Sequence, residues 1–277
     1  MTELQTSSLQ NLQHNLQKGL QTSLQTGLQT ALPNALLQAT GLNHHYGAVH
    51  AVRKVDLAVQ AGELLAMIGP NGAGKSTVFG LLSGDLNTRS GRVVLGQQDI
   101  GRASVQSRAA LGLGRTYQTA APFATLSVLE NLRVAATAVP SLAAQRSAQL
   151  ESVLAGSGLA ALRDKPVQDL PYADWKRLDL ALVLVQQPRV LLLDEPTAGL
   201  AHAERVAMMQ WVRSLAKTQQ MAVLFTEHNL DAVFEYADRI AVLVRGALLA
   251  QGTPAEIAAN PDVQAAYTGS YSMKATA

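Results

Sequence analysis

The stretch Gly69-Pro70-Asn71-Gly72-Ala73-Gly74-Lys75-Ser76-Thr77 restricts the folds open to this chain more than any other. It fits the pattern Gly-x-x-x-x-Gly-Lys-Ser/Thr without a mismatch, and that pattern works only as strand, loop, then helix. The apolar run over residues 63–68 supplies the strand, and a helix is expected to start at Lys75. Glycines let successive backbone N–H groups face a β-phosphate, and Lys75 can neutralise the β and γ oxygens. Ser76 can offer its hydroxyl to Mg²⁺, while the following helix presents its positive end. The expected ligand is ATP with Mg²⁺, and Gly69 to Thr77 are its candidate binding residues.

Further along, Val190-Leu191-Leu192-Leu193-Asp194-Glu195 is an apolar strand that stops abruptly at two carboxylates. Asp194, at the strand end, is placed to hold Mg²⁺, and Glu195 can polarise a water for in-line attack on the γ-phosphate. Taken alone such a strand end is more often structural. The phosphate loop upstream makes it a candidate catalytic element.

The rest of the chain frames these two motifs. Short β-type runs such as residues 51–59 precede the loop, and a stretch rich in Ala, Leu, Gln and Ser over residues 127–158 reads as helices. An amphipathic helix carries Trp175, Leu178, Leu182 and Val185. Strand 190–193, a helix over about 203–215 and strand 221–225 then restore the alternation. The pattern predicts an α/β core with an antiparallel β portion near the N-terminus and a helical subdomain inserted at about 127–187. Residues 1–34 form a separate tail with leucine at 9, 12, 16, 20, 24 and 28 among Gln, Thr and Ser. A four-residue spacing drifts around a 3.6-residue helix, and Gly19 and Gly27 weaken it further, so this tail is expected to be disordered. The ATPase domain is then 35–277.

Composition narrows the remaining classes. With no cysteine, disulfides and thiolate metal sites are excluded. A net charge of +2 gives no case for a nucleic-acid partner, which calls for a concentrated basic face. The apolar runs are far shorter than the roughly 20 residues that span a bilayer, so any membrane role is peripheral.

Three further segments make the reading specific. Asp194-Glu195-Pro196-Thr197, the Gln118 of Gly114-Arg115-Thr116-Tyr117-Gln118, and Thr226-Glu227-His228 resemble the Walker B, Q-loop and H-loop of ABC ATPases, in that family's order. The resemblance implies a P-loop ABC ATPase fold in which Tyr46 stacks on adenine, Gln118 touches Mg²⁺ and the attacking water, and His228 contacts the γ-phosphate. Leu126-Ser127-Val128-Leu129-Glu130-Asn131-Leu132, Glu227-His228-Asn229-Leu230 and Asn260-Pro261-Asp262-Val263-Gln264-Ala265-Ala266-Tyr267 are similar to ATP-binding subunits of branched-chain and hydrophobic amino-acid importers. Urea importers and the lipopolysaccharide-export ATPase look related. Implied with that resemblance are transmembrane permease subunits docked near residues 120–127, a second ATP-binding subunit, a solute-binding protein, and a place on the cytoplasmic face of the inner membrane.

Two segments depart from the family. The signature, usually Leu-Ser-x-Gly-Gln, reads Leu170-Pro171-Tyr172-Ala173-Asp174, and Ala201 stands where the D-loop usually has Asp or Asn. Both act on the opposite subunit's ATP in ABC dimers, so an asymmetric heterodimer is expected, with Asp174 directing negative charge toward that ATP. The rival readings are an exporter ATPase, a soluble ABC protein of translation or DNA repair, and a catalytically dead ATP-binding partner. Intact Lys75, Glu195, Gln118 and His228 speak against the last.

Overall fold

The computed structural model describes residues 35–88, 90–117, 122–139 and 146–267. The predicted tail 1–34 and Gln118 lie outside the described residues.

Two sheets organise the core. The first is antiparallel in character: β1 (Ala35–Tyr46), β2 (Val49–Gln60), β4 (Ser90–Leu95) and β5 (Gln98–Asp99), in the order β2-β1-β4-β5. The second holds β3 (Leu64–Ile68), β6 (Leu113–Arg115), β7 (Val190–Asp194), β8 (Ala222–Thr226), β9 (Arg239–Val244) and β10 (Ala247–Gly252), in the order β10-β9-β3-β8-β7-β6. Within it only the β9–β10 pairing is antiparallel.

Strands β3, β7 and β8 are buried along their whole length, which is why they read as unbroken apolar runs. Their two-residue period divides the core. Leu64, Ala66, Ile68, Leu191, Leu193, Val223 and Phe225 face one cluster, made with the helices described next. Leu65, Met67, Val190, Leu192, Ala222 and Leu224 face the other. That second cluster contains Val78, Phe79, Leu81 and Leu82 of helix α1 (Lys75–Ser83) and Val52, Val55, Leu57 and Val59 of β2. A second helix, α2 (Val105–Ala110), precedes β6.

Between β6 and β7 the described chain contains no strand, only helices α3 (Val128–Ala136), α4 (Arg146–Ser157) and α5 (Tyr172–Leu184) with two short 3₁₀ turns. These helices form an inserted helical subdomain between two strands of the six-stranded sheet. Ser127 starts it by accepting the Glu130 N–H, while Glu130 returns to the Ser127 N–H, so the entry is fixed by a capping box. Helix α6 (His202–Gln219) runs longer than the predicted 203–215 at both ends. Helices α7 (Leu230–Tyr236), α8 (Pro254–Ala259) and α9 (Pro261–Tyr267) complete the fold.

Because β3, β7 and β8 run parallel in adjacent positions, their C-terminal ends share one edge of the sheet. Ile68, Asp194 and Thr226 end these strands side by side, and ligands in open α/β sheets bind outside that edge.

Candidate active site

The phosphate loop leaves β3 at Gly69 and enters α1 at Lys75. Two glycines there are required by space as well as by conformation. A Cβ on Gly69 (φ +155°) would stand 2.1 Å from the Leu243 carbonyl oxygen, and one on Gly74 (φ +104°) 2.5 Å from that of Ala51. At Gly72 (φ +76°) a Cβ meets nothing within 4 Å, so only the backbone angle matters. The loop is fastened behind by the Gly246 N–H donating to the Ala73 oxygen at 2.9 Å and within by the Ala73 N–H donating to the Pro70 oxygen at 3.1 Å. Pro70, Asn71, Gly72 and Ser76 are exposed, and Lys75 and Thr77 half-buried.

Lys75 Nζ donates to the Gly69 oxygen at 2.6 Å and the Pro70 oxygen at 3.2 Å, so the ammonium lies over the loop. Partial burial lowers its pKa, and the carboxylates of Glu195 and Asp194 oppose that shift. The cation and the two acids therefore belong to one electrostatic site.

Asp194 is buried, and its Oδ1 accepts the Thr226 hydroxyl at 2.7 Å. Its backbone N–H donates to Thr116 Oγ1 at 3.4 Å. Glu195 is in the left-handed region (φ +51°), held there by N–H bonds to Thr226 Oγ1 at 3.1 Å and the Thr226 oxygen at 3.2 Å. Its Oε1 lies 2.8 Å from Nε2 of the exposed His228. Glu195 and His228, read separately in the sequence, thus form one contact.

Buried Glu227 fastens the segment after β7: its Oε1 accepts the Thr197 N–H at 2.8 Å and the Thr197 hydroxyl at 2.7 Å. Sequence spacing alone assigns Glu227 no role. A carboxylate between a strand-end Thr and a candidate catalytic His was the available signal.

Tyr46 ends β1 with its ring half exposed and edge-on to His44 at 4.6 Å. It is not a packing aromatic of the core. Its exposure leaves ring surface at the end of β1.

The altered signature has a structure that spacing could not reveal. Pro171 caps α5 with no side-chain bond, and Asp174 pairs with Arg177 at 3.1 Å. Asp174 therefore has a cationic partner within its own helix. Tyr172 donates its hydroxyl to the Ala198 oxygen at 3.1 Å and lies over Gly199, where a Cβ would come within 2.9 Å of its ring. At the start of α6, Ala201 offers no side-chain oxygen, and only Glu204 returns to its N–H at 2.9 Å.

A glycine-rich loop, a lysine, a serine hydroxyl and a strand-end carboxylate could together hold a polyphosphate and a hard cation. The donor set is all oxygen, and among the described residues no group of three or more His, Cys, Asp or Glu could hold a metal. Ser76 and Asp194 thus fit a cation that shares its remaining positions with phosphate and water, as Mg²⁺ does.

Fold and site together define a P-loop nucleotide cassette. Residues 52–198 match the family model described as ABC transporter, and residues 247–271 match that of the branched-chain amino acid ATP-binding cassette transporter. The chain belongs to the ABC transporter family of ATP-binding proteins. It is 35% identical over 249 residues to the high-affinity branched-chain amino acid transport ATP-binding protein LivG of Salmonella typhimurium, covering 84% of this chain and 98% of that protein. It is 33% identical to the Pseudomonas aeruginosa BraF protein of the same description, with the same coverage. It is also 33% identical to the lipopolysaccharide export system ATP-binding protein LptB of Acidithiobacillus ferridurans, over 84% and 97%. Among solved structures, the ADP conformation of MJ1267, an ATP-binding cassette of an ABC transporter, superimposes with a TM-score of 0.77 at 27% identity, covering 85% of this chain and 99% of that one.

Proposed function

We propose that this chain binds ATP·Mg²⁺ at the phosphate loop and hydrolyses it to energise uptake of branched-chain or other hydrophobic amino acids, or a related amide, through separate permease subunits. The observation that carries the chemistry is the Glu195–His228 contact at 2.8 Å beside Lys75 and Asp194. The solute class is supported by LivG and BraF and by the C-terminal match over 247–271. LptB keeps an exporter in view, and the same catalytic residues would serve it.

In this reading the Gly72–Ser76 amides and Lys75 bind the β- and γ-phosphates, Ser76 and Asp194 hold Mg²⁺, Tyr46 stacks on adenine, and Gln118 lines up with the attacking water. Held by Ser76 and Asp194, the cation would supply neutralisation of the charge that develops on the phosphate oxygens. Glu195 accepts a hydrogen bond from the attacking water and takes its proton as the new P–O bond forms and ADP leaves, and His228, 2.8 Å from Glu195 Oε1, orients that carboxylate and would contact the γ-phosphate. Thr226 holds Asp194 and Glu195 at once through one hydroxyl. Glu195→Gln should bind ATP nearly normally and hydrolyse it at least about a hundredfold more slowly, because a positioned base contributes roughly 10²–10⁴-fold. Lys75→Ala should instead weaken binding. Equilibrium binding of a fluorescent ATP analogue and single-turnover hydrolysis separate the two, and near wild-type turnover in Glu195→Gln removes Glu195 from its role.

The second subunit of the pair is proposed to be a different chain. Pro171 has no hydroxyl, Ala173 adds a Cβ at the expected close approach, and Ala201 lacks a polar group, whereas every residue assigned to the chain's own ATP is present. Losing one hydrogen bond to a charged group costs about 1.5–3 kcal/mol, enough for a tenfold loss. The chain alone should therefore hydrolyse ATP slowly at concentrations that permit dimerisation, and Pro171→Ser/Ala173→Gly should raise that rate. A rate already equal to the assembled transporter's, unaltered by the substitutions, overturns the heterodimer.

A further inference from the structure

The root of the Gln118 loop carries a cation that none of these roles uses. Arg115, the last residue of β6, is only 12% exposed. Its Nη1 donates to Ser83 Oγ at 2.6 Å and to the Asp85 carboxylate, while Nη2 stands 4.0 Å from Asp194 Oδ2. The Tyr117 and Phe79 rings flank the guanidinium, with centroids 4.7 and 5.9 Å away. Tyr117 also donates its hydroxyl to Asp85 Oδ1 at 3.2 Å. One guanidinium thus joins the end of α1, the start of the Gln118 loop and the carboxylate that ends β7.

The distances decide how that cation is shared. A 4.0 Å separation is too long for a hydrogen bond, so Arg115 is committed to Asp85 and Ser83 and leaves Asp194 Oδ2 uncovered. We propose that Arg115 is a positioning residue held off Asp194 by Asp85, so that the Asp85–Arg115 pair sets how readily Asp194 accepts a divalent cation. This rests on the reading of Asp194 as a Mg²⁺ ligand. Neutralising Asp85 frees Arg115 to advance by about 1 Å and make a direct charge-assisted bond to Oδ2, which an incoming cation must then displace. Removing the charge of Arg115 instead removes a like charge from the neighbourhood of that cation. The two substitutions act in opposite directions, which a loss of packing would not produce.

The test is Mn²⁺ binding to the full chain in the presence of ADP, followed by electron paramagnetic resonance. Asp85→Asn should raise the Mn²⁺ Kd about tenfold, equivalent to about 1.4 kcal/mol. Arg115→Gln should lower it about threefold, and the double variant should behave as Arg115→Gln because the freed cation is gone. Asp194→Asn serves as the control and must weaken Mn²⁺ binding in every background. If it does not, the Asp194 assignment is wrong. If it does, but Asp85→Asn and Arg115→Gln shift Kd in the same direction or leave it unchanged, the relay is wrong. Asp85 is partly exposed, so Asp85→Asn alone decides the case should Arg115→Gln not fold, and an unchanged or lowered Kd overturns the proposal.

Discussion

Asp179, on the helix that follows the altered signature, gives the protein an unusual dependence on pH. It is 7% exposed, and burial raises its pKa from 3.8 to about 6 against the opposing attraction of Lys176, itself buried three residues earlier. The sign follows from the two states. Above about pH 6 the carboxyl is ionised both folded and unfolded, and the folded state bears the cost of burying the charge. Between about 6 and 4 the folded protein binds a proton that the unfolded chain does not, so stability from this group rises as pH falls. A shift of about two units corresponds to roughly 3 kcal/mol, at about 1.36 kcal/mol per unit. Glu63, also buried and also raised, adds a change of the same sign, so the wild-type profile alone is not diagnostic. Asp179→Asn isolates the effect: it should be the more stable protein above pH 6, and the two profiles should converge toward pH 4. Urea unfolding of both proteins from pH 7.5 to 4, in EDTA and without nucleotide, reads the difference. Parallel profiles with a constant offset would refute the argument.

Two other perturbations follow from the geometry. Gly74→Ala places a Cβ 2.5 Å from the Ala51 oxygen at φ +104° and should cost at least about 2 kcal/mol with loss of ATP binding, whereas Gly72→Ala meets no atom and should cost about 1 kcal/mol; thermal unfolding and nucleotide titration rank them. Glu227→Ala strands the Thr197 N–H and hydroxyl, so stability should fall by about 2–4 kcal/mol and hydrolysis should slow, while Glu227→Gln, which can still accept, should be far milder in both denaturation and turnover assays.

What the sequence disclosed and what it withheld divide along a physical line. The phosphate loop and the strand ending at Asp194 were legible because a close backbone approach demands glycine at fixed spacing and a fully buried parallel strand demands an unbroken apolar run. The inserted helices were legible because a run rich in Ala, Leu, Gln and Ser and the apolar stripe of Trp175, Leu178, Leu182 and Val185 are local patterns. The contacts that join distant segments were not. Thr197 meets Glu227, and Arg115 meets Asp85 and Asp194, only because β6, β7 and β8 lie side by side, an order that the linear chain does not contain. Asp174 shows the converse: its partner Arg177 is three residues away on the same helix, and a helical reading of 172–184 could have found it.

The two segments that depart from the family pattern are also bound to each other, and this bears on why they changed. Tyr172 reaches from the start of α5 to the Ala198 oxygen and covers Gly199, so the signature and the stretch after β7 are joined within one subunit. A Cβ at residue 199 would press on that ring, and its φ of +80° already favours glycine, so Gly199 is required by both the turn and the tyrosine. Trp175 stacks on the Tyr172 ring at 6.3 Å and extends the same platform along the helix. The elements proposed to serve the chain's own nucleotide are built from backbone amides and charges: the phosphate loop, Lys75 and Asp194. The altered segments instead carry an exposed tyrosine stacked on a Trp175 that packs against the core, and no side-chain oxygen at Pro171, Ala173 or Ala201. Such a surface presents aromatic area and no side-chain hydroxyl at these three positions, and the proposed pairing with a different subunit rests on that chemistry.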